Sequence, residues 1–204
     1  MRLVVVTRHA ESVLNTVRRV NGDPTIPVEL TIGGEAQARA LGLQLANLEI
    51  ETCVHTRFRR TLWTAELALG GRPVPFVEEP LLDDVKVGEL EGAPIERYRE
   101  VKRSLGRTRP FPGGESLDDA ARRFAQGYRR VLELGARRIL VVGHEIALRY
   151  ALNAAAGSDE LDGPIHEIEN ATPYLFDEPA LLRAIARLEE LAGPPPGPAA
   201  PPAG

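Results

Sequence analysis

Short apolar runs alternate with amphipathic stretches along this chain. Apolar, β-branched residues dominate residues 2–7 and 138–142, which predicts two buried strands. Weaker patterns predict three further strands at residues 51–56, 74–77 and 174–176. Helical spacing and capping residues predict helices over residues 31–48, 60–69, 94–105, 116–135, 144–156 and 179–191. Breaker residues predict loops at residues 10–29 and 81–92.

The order of these elements predicts the fold class. Strands that alternate with helices are typical of an α/β domain built around a mostly parallel sheet. We assign residues 1–192 to one such domain. Residues 193–204, GPPPGPAAPPAG, have low complexity and offer nothing to bury, so they are predicted to form a disordered tail.

Composition narrows the functional class. The chain has 204 residues, with 25 Lys and Arg against 29 Asp and Glu, a net charge of −4. This balance argues against a nucleic-acid-binding surface, which is usually strongly basic. One cysteine excludes an intrachain disulfide and a four-cysteine zinc site. No apolar run reaches transmembrane length and no signal peptide is recognisable, which predicts a cytoplasmic protein without a membrane partner.

Candidate chemistry lies at the ends of predicted strands. Arg8 and His9 follow the first strand, His144 follows the strand at 138–142, and Arg60 follows the strand at 51–56. Ligands of open α/β sheets bind outside the carboxyl ends of strands. Arginines and helix N-termini suit phosphate oxygens, and neighbouring arginines lower the pKa of a histidine. The pattern therefore predicts a phosphate pocket in which a neutral histidine acts as the nucleophile.

Six segments carry a family resemblance. In order, they resemble the signature segments of the histidine phosphatase superfamily, the phosphoglycerate-mutase-like branch with an R-H-G-E motif. The segments are RHAESVLN (8–15), ELTIGGEAQARALG (29–42), RTLWTAE (60–66), LLDDVKVGELEG (81–92), FPGGES (111–116) and VVGHEIALR (141–149). The resemblance implies a three-layer α/β sandwich, with helices flanking a mostly parallel, mixed central sheet.

The same resemblance implies a reaction. His9 would attack the phosphorus of a small phosphate ester and form phosphohistidine, while Arg8, Arg60 and His144 bind the phosphoryl oxygens. A carboxylic acid would protonate the leaving group and then activate water. Neither a metal ion nor an organic cofactor is implied. Further substrate contacts are expected from Asn15, Asn21 and Gly22.

Three positions depart from the family pattern. Asp84 stands where the acid is usually Glu, and Glu89 is nearby as an alternative acid. Ala10 replaces a glycine in the first motif. Glu145 follows the second histidine, where glycine is common. Glu145 is predicted either to bind a hydroxyl group or cation of the substrate or to point away, because a carboxylate repels a phosphate dianion.

Other readings of the same residues remain open. Cys53 and Arg59 match the C-x5-R pattern of cysteine-dependent phosphatases, although the residues between them suit a strand better than a phosphate loop. A phosphoglycerate mutase and a phospholigand-binding protein without activity are two more alternatives. A metallohydrolase would take its ligands from His9, Glu11, His144 and Glu145.

A basic segment lies near the predicted pocket. Residues 92–114 contain six cationic residues, Arg97, Arg99, Lys102, Arg103, Arg107 and Arg109. They form either a contact surface for a second anionic group of the substrate or a solvated helix face. These patterns select neither one phosphate ester nor an oligomeric state.

Overall fold

The apolar runs form a five-stranded sheet in the computed structural model of the chain, which describes residues 2–194. The strands are β1 (Leu3–Arg8), β2 (Thr52–His55), β3 (Phe76–Glu78), β4 (Arg138–Gly143) and β5 (Tyr174–Asp177). The helices are α1 (Val13–Thr16), α2 (Ile32–Gln44), α3 (Arg59–Leu69), α4 (Ile95–Leu105), α5 (Leu117–Glu133), α6 (Glu145–Ala155) and α7 (Glu178–Ala192).

The strand order places three strand ends side by side. The order across the sheet is β3-β2-β4-β1-β5, with β5 antiparallel and the other pairs parallel. β4 therefore lies between β1 and β2. The pairing continues beyond the strands, since the backbone N–H of His9 donates to the carbonyl of Gly143 at 2.9 Å. The carboxyl ends of β1, β2 and β4 thus meet at one edge, and the predicted mixed sheet is confirmed.

The alternation of side chains along β1 divides the core into two layers. Val4 and Val6 are buried against a cluster supplied by α5, α6 and α7. Val5 points to the opposite face and is buried in a cluster with α2 and α3. Successive residues of a strand point to opposite faces, so one apolar run serves both layers. Helices on the two faces complete the predicted three-layer sandwich.

Local details differ from the predicted boundaries. Residues 10–29 are not wholly irregular, because Ser12 and Asn15 form a capping box that starts α1. The predicted loop at 81–92 contains part of the 3₁₀ turn Pro80–Leu82 and the whole turn Gly88–Leu90. β3 begins two residues later than predicted. Of the tail predicted at 193–204, residues 195–204 lie outside the described part of the chain.

None of the helices formed by residues 2–194 is long and apolar enough to cross a membrane.

A close backbone contact seats the segment after His9 on α2. A Cβ atom added to Gly34 would lie 2.0 Å from the carbonyl oxygen of Glu11, whereas one added to Gly33 would come no closer than 3.6 Å to any neighbour. We predict that Gly34→Ala lowers the free energy of unfolding by about 1–3 kcal/mol through overpacking. Gly33→Ala is the matched control and should be neutral or stabilising by up to about 1 kcal/mol. Urea unfolding of both variants measures the difference; equal stabilities would contradict the close contact.

Candidate active site

Three loops at the carboxyl edge of the sheet bring two histidines and an arginine together. His9 directly follows β1, His144 is the N-cap of α6 after β4, and Arg60 lies in the first turn of α3 after β2. The two imidazole rings have centroids 5.6 Å apart. All three side chains are buried, with at most 4% of their residue surface exposed. The structure therefore gathers the residues that the sequence left at three distant positions.

The contacts of His9 determine which ring nitrogen is available. Nδ1 lies 2.7 Å from the carbonyl oxygen of Ala10, which only accepts, so Nδ1 carries the proton. Nε2 then holds a lone pair and accepts a hydrogen bond from Nε of Arg60 at 3.0 Å. Thr64 and Asn170 fix the backbone on either side, through Ala10 N–H at 3.0 Å and the His9 carbonyl at 2.7 Å. The unprotonated nitrogen therefore faces the guanidinium.

His144 has the opposite tautomer. Its Nδ1 lies 3.2 Å from an Arg60 nitrogen, which only donates, so Nδ1 holds the lone pair. Nε2 carries the proton and donates to Oγ1 of Thr56 at 2.9 Å. The Thr56 hydroxyl in turn lies 3.0 Å from Oγ1 of Thr61, and the edge of the Phe58 ring packs against the imidazole. His144 is therefore held by partners on both nitrogens.

Arg60 joins the groups of the site. Besides both histidines, it donates to the side chain and the backbone carbonyl of Asn21 and forms a 3.4 Å ion pair with Asp84. Its guanidinium lies 4.3 Å from the centroid of the Phe58 ring. Burial, partly opposed by Asp84, lowers the pKa of Arg60 to about 10. The side chain is therefore still a cation at neutral pH.

Arg8 lies beside this group and contacts Glu145. One Arg8 nitrogen donates to the carbonyl of Ile168 at 2.9 Å and lies 3.0 Å from Oε2 of Glu145. Nε of Arg8 is buried and has no hydrogen-bond partner among residues 2–194. An unpaired buried donor favours an anionic acceptor. Glu145 does not point away from the pocket, because it pairs with Arg8 and lines the cavity.

Burial and charge keep both imidazoles neutral. Desolvation, followed by the charges of Arg60 and Arg8, holds the pKa of His9 well below its ordinary value. The sequence attributed the low histidine pKa to the neighbouring arginines alone, whereas burial lowers it more. Desolvation and Arg60 likewise hold the pKa of His144 well below the ordinary range. Neutral imidazoles are bases and nucleophiles, which the proposed chemistry needs.

Asp84 is the carboxyl group nearest to the histidines. Its Oδ2 lies 3.5 Å from Nδ1 of His144, and its side chain is 25% exposed. Burial raises the pKa of Asp84, against the opposite influence of Arg60. Glu89 is exposed and does not line the cavity. The geometry therefore favours Asp84 over Glu89 as an acid.

The loop that carries Asp84 is held in place by hydrogen bonds with side chains outside the cavity. Arg123 of α5 donates to the carbonyls of Asp83 at 2.8 Å and Asp84 at 3.1 Å. Glu115 accepts from the backbone N–H of Lys86 at 2.9 Å. At Gly88, φ is +56°, and an added Cβ would lie 2.1 Å from the Pro112 carbonyl oxygen. The FPGGES segment thus supports the acid loop, and glycine at position 88 permits the contact.

These groups surround a cavity of about 140 Å³. Arg8, His9, Arg60 and Asp84 form its polar end, and the predicted contact residues Asn15, Asn21, Gly22 and Glu145 also line it. His144 is fully buried and reaches the site through Arg60 and Asp84. Ser12, Arg19 and Tyr98 also line it, and the rest of the wall is apolar: Leu14, Val20, Val28, Val85, Val87, Ile95 and Ile146. The cavity can hold one phosphoryl group and part of an apolar or mixed leaving group.

Several site residues escaped the sequence analysis. Glu91 accepts from the side chain of Asn21 at 2.9 Å and from the backbone N–H of Gly22 at 2.7 Å, so it holds that turn in place. Thr64 lies one helical turn after Arg60 and accepts from Ala10, a spacing the sequence does contain. Asn170 comes from a segment without a recognisable pattern. No local signal identifies it.

Two alternative chemistries are not supported by this geometry. Cys53 is fully buried in the core, and burial raises the pKa of its thiol to about 12, so it is not a thiolate at neutral pH. Among residues 2–194, no three His, Cys, Asp or Glu side chains are arranged to hold a metal ion. Glu11, one member of the candidate ligand set, instead accepts from Thr31 at 2.6 Å.

Two further arginines that follow β2 lie outside the cavity. Arg57 is paired with Asp83 at 2.6 Å, and Arg59 with Glu29 at 3.0 Å. Neither lines the catalytic cavity, which agrees with a surface role.

Comparisons with known proteins identify the family and agree with the fold. The family model of the histidine phosphatase superfamily (branch 1) matches residues 4–178. The 2,3-bisphosphoglycerate-dependent phosphoglycerate mutase 2 of Gloeobacter violaceus is 32% identical over 196 residues, covering 88% of this chain and 87% of that protein. This chain therefore belongs to the histidine phosphatase superfamily, as its motifs indicated.

Solved structures show the same fold at lower identity. The alpha-ribazole phosphatase from Shigella flexneri superposes with a TM-score of 0.76 at 20% identity, covering 86% of this chain and 90% of that one. The mycobacterial glucosyl-3-phosphoglycerate phosphatase, solved with VO3, gives a TM-score of 0.73 at 20% identity, covering 86% and 92%. Two proteins named as phosphatases thus share this architecture.

The low pKa of His9 predicts a pH-dependent stability. Below pH 6.5, the ordinary pKa of histidine, the unfolded chain takes up a proton at His9 that the folded protein does not. The free energy of unfolding should therefore fall as the pH falls from 7 to 5. This loss should be steeper in the wild type than in His9→Gln, by up to about 1.4 kcal/mol per pH unit. Urea titrations at several pH values measure both slopes; parallel slopes would contradict a neutral His9.

Proposed function

We propose that the protein is a metal-independent phosphatase that hydrolyses small phosphorylated metabolites through a phosphohistidine on His9. One observation carries this proposal. The unprotonated Nε2 of His9 lies at the buried end of the cavity, next to Arg60 and within the same cluster as Arg8, His144 and Asp84. A nucleophile, cationic phosphate ligands and an acid in one pocket are the groups that phosphoryl transfer through histidine requires.

In the first step, Nε2 of His9 attacks phosphorus, so a P–N bond forms while the ester P–O bond breaks. The leaving oxygen takes the proton of the Asp84 carboxyl group and departs as an alcohol. The hydrogen bond from Arg60 to Nε2 is exchanged for bonds to the phosphoryl oxygens, which Arg8 and Arg60 stabilise in the transition state. For His144 to donate to the same oxygens, its proton must move from Nε2 to Nδ1 once Arg60 turns to the phosphoryl group.

In the second step, the Asp84 carboxylate takes a proton from water as the water oxygen attacks phosphorus. The P–N bond breaks, its electron pair returns to Nε2, and inorganic phosphate leaves. Asp84 is then protonated again, so the cycle closes without a cofactor. The raised pKa of Asp84 suits a group that must hold a proton at one stage and accept one at another.

We assign the leaving group to the wall formed by Asn15, the Asn21-Gly22 turn and Glu145. Asn15 uses its Oδ1 to cap α1, so its amide nitrogen faces the pocket as a donor in this proposal. Glu145 accepts hydroxyl hydrogen bonds from the leaving group, and its pairing with Arg8 must loosen when a phosphate dianion enters. The apolar residues of the wall match the carbon skeleton of such an ester.

A phosphoglycerate mutase is the second candidate, because the relative from Gloeobacter violaceus carries that name. A mutase returns the phosphoryl group from histidine to a second hydroxyl, whereas a phosphatase gives it to water. Asp84, a quarter exposed at the cavity, suits activation of water. Phosphate release and isomerisation of phosphoglycerates, measured on the same preparation, separate the two activities.

The nucleophile is tested with two histidines of similar local geometry. His9 and His55 each direct Nδ1 to the carbonyl of the following residue, at 2.7 and 2.8 Å. We predict that His9→Ala lowers phosphate release from p-nitrophenyl phosphate in EDTA by at least about 10⁴-fold. His55→Ala should keep activity within a few-fold, because His55 does not line the cavity. Wild type quenched in alkali or detergent should also carry an acid-labile, alkali-stable phosphoryl group that His9→Ala lacks.

Three results would redirect the assignment. Activity retained in His9→Ala but lost in Cys53→Ser would assign the reaction to the cysteine. Loss of wild-type activity in EDTA, restored by a metal ion, would favour a metallohydrolase. Binding of phosphate esters to the wild type without turnover would indicate a binding protein.

The acid is tested by comparing two nearby carboxylates. Asp84→Asn should lower kcat for an alkyl phosphate by about 10²–10⁴-fold, because the alkoxide is then expelled without a proton. The rate of the pre-steady-state burst of p-nitrophenol from p-nitrophenyl phosphate should fall less than kcat for the alkyl phosphate does. This burst reports the first step, in which p-nitrophenolate leaves without needing a proton. Glu89→Gln is the control and should retain full turnover because its side chain is exposed outside the cavity. The reverse pattern would transfer the acid role to Glu89.

A further inference from the structure

A second cavity, of about 590 Å³, lies beyond the catalytic one between α4 and α6. Its lining is dominated by cations from separate elements: Arg99, Lys102 and Arg103 of α4, Arg107 after that helix, and Arg149 of α6. Leu117, His166 and Asp162 complete most of the remaining wall. We refer to this space as the basic cavity. Four of its cations belong to the basic segment 92–114, for which the sequence left two roles open.

The basic cavity has more positive than negative charge. Asp162 pairs with Lys102 at 2.9 Å and with Arg149 at 2.7 Å, and Asp118 pairs with Arg107 at 2.6 Å. Glu145 also lies 3.6 Å from Arg149, so five cations face three carboxylates, an excess of two positive charges when His166 is left aside. Exposed cations on one helix face usually spread into solvent, but these converge from α4, α6 and the connecting segment. Converging cations create a local potential that attracts anions.

The inner wall of the basic cavity is held in place before any ligand binds. The guanidinium groups of Arg107 and Arg149 lie 5.4 and 5.8 Å from the centroid of the buried Tyr150 ring. The Arg149 side chain is only 12% exposed, and its Nε is buried without a hydrogen-bond partner among residues 2–194. A buried guanidinium N–H without an acceptor is costly. A ligand with anionic oxygens can relieve this cost, directly or by reorienting Arg149.

The outer wall is formed by cations without a carboxylate partner. Arg99 and Arg103 are exposed, and neither forms a salt bridge within the described part of the chain. They lie one turn apart on α4, so both side chains reach the same side of the helix. They are therefore available for a ligand that already touches the inner wall.

The two cavities are separate, but a series of ion pairs links them. No residue lines both of them. The connection runs through α6, where Glu145 contacts Arg8 at 3.0 Å on the catalytic side and Arg149 at 3.6 Å on the other. An anion that draws Arg149 toward the basic cavity weakens its hold on Glu145. Glu145 is then free to pair more closely with Arg8, in competition with substrate phosphate.

We propose that the basic cavity is a second anion-binding site, which takes a ligand with at least two phosphate-type groups. The inner wall binds one group through Arg149, Lys102 and Arg107, and the outer wall binds the other through Arg99 and Arg103. An excess of two positive charges matches a diphosphate better than a monoanion. The ligand is either a free polyanion or the distal anionic part of a substrate whose ester phosphate lies at His9.

The test uses methylenediphosphonate, a diphosphate analogue without a hydrolysable P–O–P bond. Isothermal titration is carried out on protein already saturated with orthovanadate, so that the catalytic phosphate site is occupied. We expect binding of one equivalent to the wild type. Arg99→Gln/Arg103→Gln should weaken this binding at least 10-fold, because two exposed cations are removed without touching the buried wall. Circular dichroism and thermal unfolding check that the variant is folded.

The control variant is Arg129→Gln/Arg183→Gln, which removes two exposed arginines that do not line the basic cavity. It should bind methylenediphosphonate as the wild type does. Equal affinity in both double variants would overturn the proposal, since non-specific attraction would then explain the binding. Absence of binding to the vanadate-saturated wild type would overturn it as well.

Kinetics distinguish the two sources of the ligand. If the distal group of a substrate occupies the basic cavity, Arg99→Gln/Arg103→Gln raises KM for a bisphosphorylated ester and leaves KM for p-nitrophenyl phosphate unchanged. If a free polyanion occupies it, methylenediphosphonate changes KM for p-nitrophenyl phosphate in the wild type but not in the double variant. Either result supports the site, and kinetics that respond in neither way, together with unchanged binding, reject it.

Discussion

A buried guanidinium organises this site. Arg60 is nearly inaccessible, and it donates to His9, His144 and Asn21 while pairing with Asp84. A buried charge is tolerated only when it is paired and hydrogen-bonded, so the partners are as necessary to Arg60 as Arg60 is to them. Each partner comes from a different loop. The requirement to satisfy one cation therefore fixes the relative positions of three strand ends.

The same cation determines which protons the histidines carry. Because Arg60 only donates, both imidazoles must present a lone pair to it, and their remaining nitrogens must donate elsewhere. The Ala10 carbonyl accepts the hydrogen bond from Nδ1–H of His9, and the Thr56 hydroxyl accepts the one from Nε2–H of His144. In the phosphohistidine mechanism that we propose, the resulting neutral His9 attacks without a separate base. In the proposed reaction, the incoming phosphoryl group replaces the imidazoles as the acceptor of Arg60.

Glu145 gives this member of the family an additional ion pair in the pocket. It contacts Arg8 on one side and Arg149 on the other. In a phosphate pocket, a carboxylate opposes dianion binding, so its position influences affinity for substrate. The chain of charges that continues through Arg149 to Asp162 and Lys102 connects the pocket with the basic cavity. The departure from the usual glycine and the neighbouring basic segment thus belong to one electrostatic arrangement.

By itself, the sequence determined the alternation of strands and helices, the family, and the histidines and arginines at strand ends. Those features depend on local periodicity and on short motifs, which survive without knowledge of contacts. Only the tertiary structure favoured Asp84 over Glu89 as the proposed acid, placed Glu145 against Arg8 and revealed the contacts of Thr56, Glu91 and Asn170 around the candidate site. These choices depend on which loops meet at the sheet edge and on which groups are buried there, and no spacing along the chain encodes either property.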